Sequence, residues 1–393
     1  MRKYERTHQW LKFQVNLQDA SPRLWLMLGE AQSKCAHIAG VPLDRPTAEK
    51  IHYLYLAKGV LATTAIEGNT LSEEEVRRRI EGSLKLPPSK EYLGQEIDNI
   101  VATCNRILGE MLSGKATELT VDLLCDLNRS VLANLPLESH VVPGRIRQVG
   151  EEVVVGAYRG APGEDCRYLL ERLCGLLNDG KKTAPADEGL AAAIVRAIVA
   201  HLYLAWIHPF ADGNGRTARL VEFLILLDAG MPTPAAHLLS NHYNQTRQIY
   251  YRQLHGASAS GGDILPFIEY AVRGLVDSLQ EQLATIRDYQ WRVIWRDYVY
   301  RIFRDSAHRV SGAVRGRERD LVLALSDQLG FVPLSKIPHL TPELAATYAT
   351  KTRKTVSRDV NTAVELGLLE KTADGVRART ETILAFLPAR KMK

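Results

Sequence analysis

Twelve consecutive residues, His208 to Arg219, bring together most of the side chains that could carry out chemistry at one place. The stretch reads His-Pro-Phe-Ala-Asp-Gly-Asn-Gly-Arg-Thr-Ala-Arg, which combines a titratable base, a carboxylate, a glycine-flanked amide and two guanidinium groups. His208 can accept a proton from a hydroxyl near neutral pH, because an unperturbed imidazole has a pKa of about 6.5. Asp212 offers the hard oxygen ligand that Mg²⁺ uses together with substrate phosphates. These residue types predict a site that handles a phosphate-containing substrate.

The flanking sequence indicates how these groups are positioned. Residues 190–207 are almost wholly apolar, and the length of the run favours a buried helix over a strand. Arg196 near its middle argues against a membrane span, so we interpret the run as core of a soluble protein. Pro209 ends this helix, while Gly213 and Gly215 allow the backbone to approach a ligand closely. The helix that resumes after them directs its free N–H groups to the same point, which favours an anion.

Each feature also has an ordinary structural explanation. A histidine before a proline commonly caps or fills a core, Gly-Asn-Gly is commonly a turn, and an arginine pair commonly lies on a solvated face. Arg216 and Arg219 are three residues apart, however, so they share a helical face and could both reach a polyphosphate. No structural need requires all of these groups in one helix-loop-helix, and their conjunction favours a ligand site.

The twelve residues resemble the Fic family pattern His-Pro-Phe-x-Asp-Gly-Asn-Gly-Arg-x-x-Arg at every defined position. The resemblance implies an all-helical fold that transfers AMP from ATP to a Ser, Thr or Tyr hydroxyl of a protein. It implies that His208 is the base and that Asp212 holds Mg²⁺. The remaining residues of the motif would bind the nucleotide: Gly213, Asn214 and Gly215 at the α- and β-phosphates, Arg216 and Arg219 at the β- and γ-phosphates, and Thr217 and Ala218 between the two arginines.

A second stretch resembles the inhibitory motif of the same family. Proline and glycine signals predict a helix over about 46–67, and Ser72 with Glu75 predicts a capping box that starts the next helix. The end of the first helix, Thr63-Thr64-Ala65-Ile66-Glu67-Gly68, fits the pattern [Ser/Thr]-x-x-x-Glu-[Gly/Asn]. The resemblance implies that Glu67 pairs with Arg219 and occupies the γ-phosphate position. The ordinary alternative is a solvated carboxylate at a helix end.

The resemblance implies that two further segments belong to the site. Residues 144–150 and 153–156, around Gly150-Glu151-Glu152, predict a short hairpin. In the Fic family this is the flap, which aligns the target by strand addition, and Val155 and Gly156 would then border the nucleotide. Tyr250 and Tyr251 stand where family members place aromatic contacts to the nucleoside. An ordinary surface hairpin and a core aromatic pair are the alternatives, and the family's adenine-proximal Asn has no counterpart in residues 255–263.

Composition and charge limit the class of protein. The chain has 393 residues, enough for two or three domains. Residues 351–393 contain ten Lys or Arg and five Asp or Glu, whereas the preceding 350 residues are balanced at 40 of each kind. Five cysteines without a Cys-x-x-Cys pair argue against a disulfide framework or a zinc site. Together with an N-terminus that lacks an apolar leader, they lead us to expect a cytoplasmic protein without membrane association.

The pattern along the chain predicts four regions. Residues 1–112 form an N-terminal helical region, packed through Trp10, Leu11 and Phe13 and through Leu24, Trp25 and Leu26. Residues 113–271 form the Fic core. Residues 272–317 form a connecting helix and a linker, and the near-heptad spacing of that helix fits either a homodimer seam or packing within one chain. Residues 318–393 form the last region.

The last region has the pattern of a winged helix-turn-helix domain. Helical stretches around 321–329, 342–348 and 352–366 precede two strands that meet at Asp374-Gly375. In a DNA-binding domain of this type, basic residues of the third helix would meet phosphates or the major groove; they are Lys351, Arg353, Lys354 and Arg358. A winged helix used for protein contact or dimerisation is the alternative.

The expected architecture is therefore an all-α Fic fold with a short β-hairpin flap and a C-terminal winged helix. Two classes of function fit it. One is a protein adenylyltransferase that uses ATP and Mg²⁺, is inhibited by its own Glu67, and modifies a protein target or itself. The other is a nucleotide-sensing DNA-binding regulator with vestigial catalysis. The intact His208, Asp212 and Arg219 favour the enzyme, since a sensor would not need the base.

Overall fold

The computed structural model describes residues 1–114, 118–156, 158–183, 189–305 and 311–383, and most of these are helical. The chain divides into two compact units, Met1–Ala284 and Thr285–Lys393, with the division inside one long helix. The helices of the first unit are α1 (Tyr4–Thr7), α2 (Pro22–Gly40), α3 (Arg45–Ala65), α4 (Glu73–Ile80), α5 (Glu91–Leu112), α6 (Val121–Val131), α7 (Gly163–Thr183), α8 (Gly189–Ile207), α9 (Asn214–Asp228), α10 (Thr233–Ala236), α11 (Leu238–Gln245), α12 (Arg247–Ala259) and the first part of α13 (Leu265–Asp305).

Helices α8 and α9 form the centre of the first unit, and the motif loop joins them. Helix α8 is apolar on all sides and nearly every residue from Ala193 onward is buried, as expected for a helix surrounded by others. Among the described residues it is the one helix long and apolar enough to cross a membrane, and 72% of that apolar window is buried inside the protein. Helices α2, α3, α6 and α7 pack around the central pair.

The helix predicted over about 46–67 is present as α3, which begins at Arg45 and ends at Ala65, so that Glu67 lies in the turn that follows it. The side chain of Asp44 caps the start of α3 by accepting from the N–H of Thr47, and Pro46 lies in the first turn. The chain leaves the helix through Gly68, whose φ of 102° is accessible to glycine at no steric cost. Both hydrogen bonds of the Ser72/Glu75 capping box are present at the start of α4. Local sequence signals therefore fix where the carboxylate of Glu67 emerges.

The hairpin lies later in the chain than predicted. Strand β1 (Val154–Val155) pairs antiparallel with β2 (Tyr158–Arg159), whereas residues 144–150 form no strand of this hairpin. Their single ladder contact is a bridge from Ile146 to Phe210. The earlier segment instead turns at Gly150, where the carboxylate of Glu151 pairs with Arg145 at 2.8 Å. A buried Arg147 then ties it to the motif loop, so tertiary hydrogen bonds override its strand-like pattern.

Two other expectations need correction. Trp25 and Leu26, expected to pack, are 50% and 74% exposed, because α2 presents Leu24, Met27 and Leu28 to the core instead. A linker was expected over residues 305–317; residues 306–310 lie outside the described residues, and 312–317 belong to a helix whose first turn is capped by the Ser311 hydroxyl. One of the basic side chains that suggested a linker, Arg317, is buried within this helix's packing because it is ion-paired with Asp359 of the second unit.

After the end of α13, the described residues of the second unit form three α-helices and a two-stranded sheet. They are α14 (Gly312–Ser326), α15 (Pro342–Tyr348), α16 (Arg353–Glu365), β3 (Leu369–Thr372) and β4 (Gly375–Ala378). The strands are antiparallel, and Val332 adds a bridge to Val376 on the other side of β4. Arg317 of α14 makes two hydrogen bonds to the fully buried Asp359 of α16, at 2.6 and 3.0 Å. The Tyr348 hydroxyl donates to the same carboxylate, so a satisfied polar cluster joins the three helices.

Candidate active site

The loop between α8 and α9 is held in a conformation that ordinary residues rarely adopt. His208 has φ 50°, and Gly213, the N-cap of α9, has φ 76°. Non-glycine residues with positive φ persist where the surrounding structure enforces them, and they concentrate at functional sites. The side chain of Asn214 closes the loop, since it accepts from the N–H of Phe210 and donates to the carbonyl of Phe210, both at 2.9 Å. The asparagine of the motif therefore shapes the loop.

The imidazole of His208 is neutral at physiological pH. Burial is the main cause, and it lowers the pKa of His208 to about 4. Nδ1 lies 3.4 Å from the carbonyl oxygen of Ala205, a contact that acts in the opposite direction. The nearby charge of Arg147 lowers the pKa of His208 further. A neutral ring with Nδ1 facing a carbonyl leaves the Nε2 lone pair available to accept a proton.

Arg147 fixes the backbone beneath His208, a role that the sequence reasoning missed. Its guanidinium donates to the carbonyl oxygens of His208, Ile207, Ala161 and Glu151 at distances between 2.7 and 3.2 Å. It is 3% exposed, and no carboxylate is among its partners in the described residues. The arginine was visible in the sequence only as part of a predicted strand.

Asn128 of α6 is a second residue that the sequence reasoning missed. Its amide donates to the carbonyl of Asp212 at 2.9 Å and accepts from the N–H of Gly144. It is fully buried and also contacts the hydroxyl of Thr217. A Cβ on Gly213 would lie 2.9 Å from Nδ2 of Asn128, so the close approach at this position requires glycine.

Glu67 reaches the start of α9 from the end of α3. Its Oε1 accepts from Nη2 of Arg219 at 2.6 Å, and the arginine also donates to the carbonyl and hydroxyl of Thr63. Burial, the largest effect, raises the pKa of Glu67, but the charge and hydrogen bond of Arg219, with a smaller contribution from the charge of Arg216, bring it below its ordinary value. The carboxylate is therefore ionised at neutral pH and occupies an anion position beside Gly215.

The other motif arginine is directed elsewhere. Nη1 of Arg216 lies 2.7 Å from Oε1 of Glu96 on α5, and Nη2 lies 3.4 Å from both oxygens of Asp212. The guanidinium is 5% exposed and does not line the cavity described below. The two arginines thus have different partners in this structure, although their spacing places them on one helical face. Burial, the main effect, raises the pKa of Glu96 despite the opposing charge of Arg216.

A cavity of about 610 Å³ lies between the motif loop, the end of α3, the hairpin and α12. Most of the predicted site residues line it: Glu67, Val155, Gly156, His208, Asp212, Gly213, Asn214, Gly215, Arg219, Tyr250 and Tyr251. Thr63 is in contact with Arg219 behind it. Thr217 and Ala218 are 1% exposed and face the core, so neither side chain is available to a ligand.

The two tyrosines differ in their surroundings. Tyr251 is 42% exposed at the cavity, whereas Tyr250 is buried and its hydroxyl lies 2.9 Å from Nε2 of His201. His201 in turn faces Glu222, whose other oxygen accepts from the hydroxyl of Tyr243. Tyr250 therefore belongs to a buried polar network as well as to the cavity wall. The sequence left open whether this residue is a core aromatic or borders the ligand site, and its position has features of both.

Asp212 is the residue suited to a divalent cation. Among the described residues no group of three or more His, Cys, Asp or Glu side chains could hold a metal. The Asp212 side chain is 47% exposed and lines the cavity. A single carboxylate of this kind fits Mg²⁺, which keeps several waters and is bound through one or two carboxylates plus substrate phosphates.

The first unit is thus a helical domain in which a glycine-containing loop and a neutral histidine border a cavity of about 610 Å³. Residues 118–226 match the Fic/DOC family, and the chain therefore contains a Fic/DOC family domain. Helix α3 and the second unit lie outside the matched residues.

Curated relatives and solved structures agree with this assignment. Protein adenylyltransferase fic-1 of Caenorhabditis briggsae is 31% identical over 269 residues, which are 67% of this chain and 48% of that protein. Protein adenylyltransferase Fic of Nematostella vectensis is 30% identical over 67% of this chain and 57% of its own length. The chain thus spans about half the length of these relatives.

Among solved structures, Fic-1 of Caenorhabditis elegans matches with a TM-score of 0.54 and 27% identity, over 68% of this chain and 73% of that one. A Fic family protein from Desulfovibrio desulfuricans G20 matches over 97% of this chain and 100% of its own, with a TM-score of 0.57. At 21% identity this second likeness concerns the fold alone.

Proposed function

We propose that this protein is a protein adenylyltransferase that transfers AMP from ATP to a Ser, Thr or Tyr hydroxyl and is restrained by Glu67. The observation that supports it most directly is the conjunction, in one cavity, of the neutral His208 with the Glu67–Arg219 ion pair at the start of α9. The names of the curated relatives add support for the reaction class.

In the proposed reaction, ATP lies along the motif loop with its phosphates at the N-terminus of α9. Nε2 of His208 takes the proton of the target hydroxyl, and the oxygen attacks the α-phosphorus in line with the leaving group. The bond from the α-phosphorus to the bridging oxygen breaks, so pyrophosphate leaves and AMP remains on the target. Backbone N–H groups after Gly213 stabilise the charge that develops. Asp212 would hold Mg²⁺, which would neutralise phosphate charge.

The hairpin would present the target segment. Val154 and Val155 are 57% and 46% exposed, and β1 pairs on one side with β2. Its other edge could add an extended peptide by main-chain hydrogen bonds, which is a recurring mode of peptide recognition. We include in this proposal a protein target, self-modification and a cytoplasmic setting, the last supported by five unpaired cysteines.

The test is incorporation of label from α-³²P-ATP by the wild-type protein, Glu67→Gly and Glu67→Gly/His208→Ala, with self-modification as the readout. Label that rises in the single variant and disappears in the double variant is the expected result. Absence of label in all three, despite measurable ATP binding and with candidate target proteins supplied, would contradict an autonomous enzyme.

A second function, DNA binding by the second unit, is favoured by a separate observation. We propose that α14, α15, α16 and the β3–β4 pair form a winged helix. Exposed basic side chains on and just before α16 have no acidic partner in the described part of the chain: Lys351, Arg353, Lys354 and Arg358. Residues 285–393 contain 20 Lys or Arg against 12 Asp or Glu, whereas the preceding residues contain 30 against 33.

Binding of duplex DNA measured as a function of salt tests this second function. Affinity that falls steeply with added salt, and that weakens in Lys354→Gln/Arg358→Gln, is the expected result. The control is Arg292→Gln, which removes a cation of the same unit that is already paired with Asp288 and Asp327. A flat salt response, or equal loss in the control, would favour a protein-contact role.

A further inference from the structure

One carboxylate outside the motif contacts both the turn that follows Glu67 and the motif itself. Glu96 of α5 accepts from Nη1 of Arg216 with Oε1, at 2.7 Å, and from Nδ2 of Asn69 with Oε2, at 2.8 Å. The side chain of Glu96 is 14% exposed, and Asn69 is buried. Both oxygens of this carboxylate are thus used in a largely dry environment, where charge-assisted hydrogen bonds are strong.

Asn69 pins the end of the segment that carries Glu67. Besides Glu96, its Nδ2 donates to the carbonyl of Leu93 at 3.0 Å, and its Oδ1 accepts from the N–H of Leu71 at 3.1 Å. The backbone N–H of Asn69 donates to Thr64. Three residues, Ile66, Glu67 and Gly68, lie between the end of α3 at Ala65 and Asn69, so the position of the Glu67 carboxylate depends on this anchor.

Arg216 is held between two carboxylates. Glu96 makes the shorter contact, and the contacts to Asp212 are 3.4 Å. Nε of Arg216 is buried and has no hydrogen-bond partner within the described ranges. If Glu96 lost its charge, the buried cation would retain Asp212 as its nearest anion and would draw that carboxylate toward itself. Asp212 would then be less available to a cation bound with the nucleotide.

We propose that Glu96 is a positioning residue of this site, which holds Arg216 off Asp212 and anchors, through Asn69, the turn that places Glu67 on Arg219. This inference rests on the proposed function. It assigns two separable roles to one side chain: restraint by Glu67 requires the contact to Asn69, and binding of ATP with Mg²⁺ requires the contact to Arg216.

The second role is tested where inhibition is already removed. Titration calorimetry with ATP and Mg²⁺ compares Glu67→Gly with Glu67→Gly/Glu96→Gln, and the affinity is expected to fall about tenfold, the loss of one charge-assisted contact. The matched control is Glu67→Gly/Glu91→Gln, which neutralises a carboxylate of the same helix that pairs with Arg79 at 2.8 Å. Equal affinities in all three, or tighter binding in the Glu96 variant, would overturn the role assigned to Arg216.

The first role is tested in the chain that keeps Glu67. At ATP and Mg²⁺ concentrations that saturate every variant, self-labelling should rise in Asn69→Ala and in Glu96→Gln, and the double variant should rise no further than the larger single effect, because both remove one contact. If the double variant instead showed the product of the two single increases in labelling, Asn69 and Glu96 would act independently and the proposed contact between them would be refuted. If the melting temperature shows that Glu96→Gln does not fold, the test rests on Asn69→Ala. Unchanged labelling in Asn69→Ala would then overturn the proposal.

Failure of the proposed function gives a different result. In that case Glu67→Gly itself incorporates no label, while calorimetry of ATP binding still reports whether Glu96 positions Arg216. A difference in affinity without any labelling would thus reject the transferase and retain the positioning role.

Discussion

Oε1 of Glu67 occupies the space where a side chain at Gly215 would begin: a Cβ built on that glycine would lie 2.1 Å from it. The carboxylate therefore rests directly against the backbone of the first turn of α9, where the helix offers unsatisfied N–H groups. An anion placed there is favoured by the helix terminus as well as by Arg219. In the proposed function, the Glu67 carboxylate and the phosphates of ATP would therefore compete for one small region.

The ion pair predicts a graded series of activating substitutions. Glu67→Gln removes the charge and should raise self-labelling at least about tenfold, as expected for a lost charge-assisted hydrogen bond. Thr63→Ala should raise it less, because the carbonyl of residue 63 still accepts from Arg219 at 2.9 Å. Initial rates of labelling measure both. Glu49→Gln, an exposed carboxylate of α3 paired with Arg45, is the control, and activation there would show that the effect is not local.

The neutral His208 predicts an unusual pH dependence. With a pKa of about 4 in the folded protein, the base stays unprotonated down to mildly acidic pH. Since the charge of Glu67 raises the pKa of His208, removal of Glu67 should lower it further. The rate for Glu67→Gly should therefore be nearly constant between pH 5 and 8, whereas an ordinary histidine would be only about 3% neutral at pH 5. A tenfold loss by pH 5.5 with the protein still folded would contradict this.

The same shift has a consequence for stability. The pKa of His208 is lower in the folded state than in the unfolded chain, so the unfolded state binds the proton more readily below about pH 6.5. His208 therefore destabilises the fold progressively as the pH falls from about 6.5 toward 4. Urea unfolding at pH 7 and pH 5 should show a smaller loss of stability in His208→Ala than in the wild type.

Arg147 predicts a large structural penalty from one substitution. Arg147→Gln leaves several buried carbonyl oxygens without donors, and we expect a loss of about 2–4 kcal/mol in the free energy of unfolding. Arg145→Gln, which breaks only the half-exposed pair with Glu151, should cost less than about 1 kcal/mol. Urea denaturation measures both. Equal effects would show that the hydrogen bonds to the carbonyl of His208 and its neighbours contribute little.

The two adjacent tyrosines should separate binding from stability. Tyr251→Ala removes an exposed ring of the cavity wall, so the KM for ATP should rise severalfold while the melting temperature stays unchanged. Tyr250→Phe keeps its ring but leaves Nε2 of His201 without its partner, so stability should fall by about 1–2 kcal/mol while KM changes little. The reverse pattern would place the nucleoside on the hydroxyl of Tyr250.

Close packing of α3 predicts an asymmetry between two helix glycines. A Cβ on Gly59 would lie 2.4 Å from Cγ of the buried His237, whereas a Cβ on Gly29 of α2 would meet nothing within 4 Å. Gly59→Ala should therefore destabilise the protein by about 1–3 kcal/mol through overpacking. Gly29→Ala should stabilise it by about 0.5–1 kcal/mol, because alanine loses less backbone entropy in a helix. Thermal unfolding of the two variants compares them directly.

Much of the architecture around the site follows from local patterns. The apolar run predicted α8, the capping box predicted α4, and Gly68 predicted the end of the segment that carries Glu67. Each of these signals acts within one or two helical turns, so a single sequence is enough to read it. The hairpin was misplaced for the converse reason: residues 144–150 have the alternation of a strand, but Arg147 within them bonds to Ile207, His208 and Pro209, which lie some 60 positions away.

The sequence by itself determined the twelve-residue motif and the two helices that flank it. Through the family resemblance it also implied the pairing of Glu67 with Arg219, which the structure contains. Only the tertiary structure decided that Arg216 turns to Glu96, that Arg147 and Asn128 hold the motif loop, and that Tyr250 is buried against His201. The physical reason is that a spacing of three residues fixes a common helical face, whereas the partner that a side chain meets on that face comes from a distant helix. Hydrogen bonds between helices leave no periodic trace in the chain.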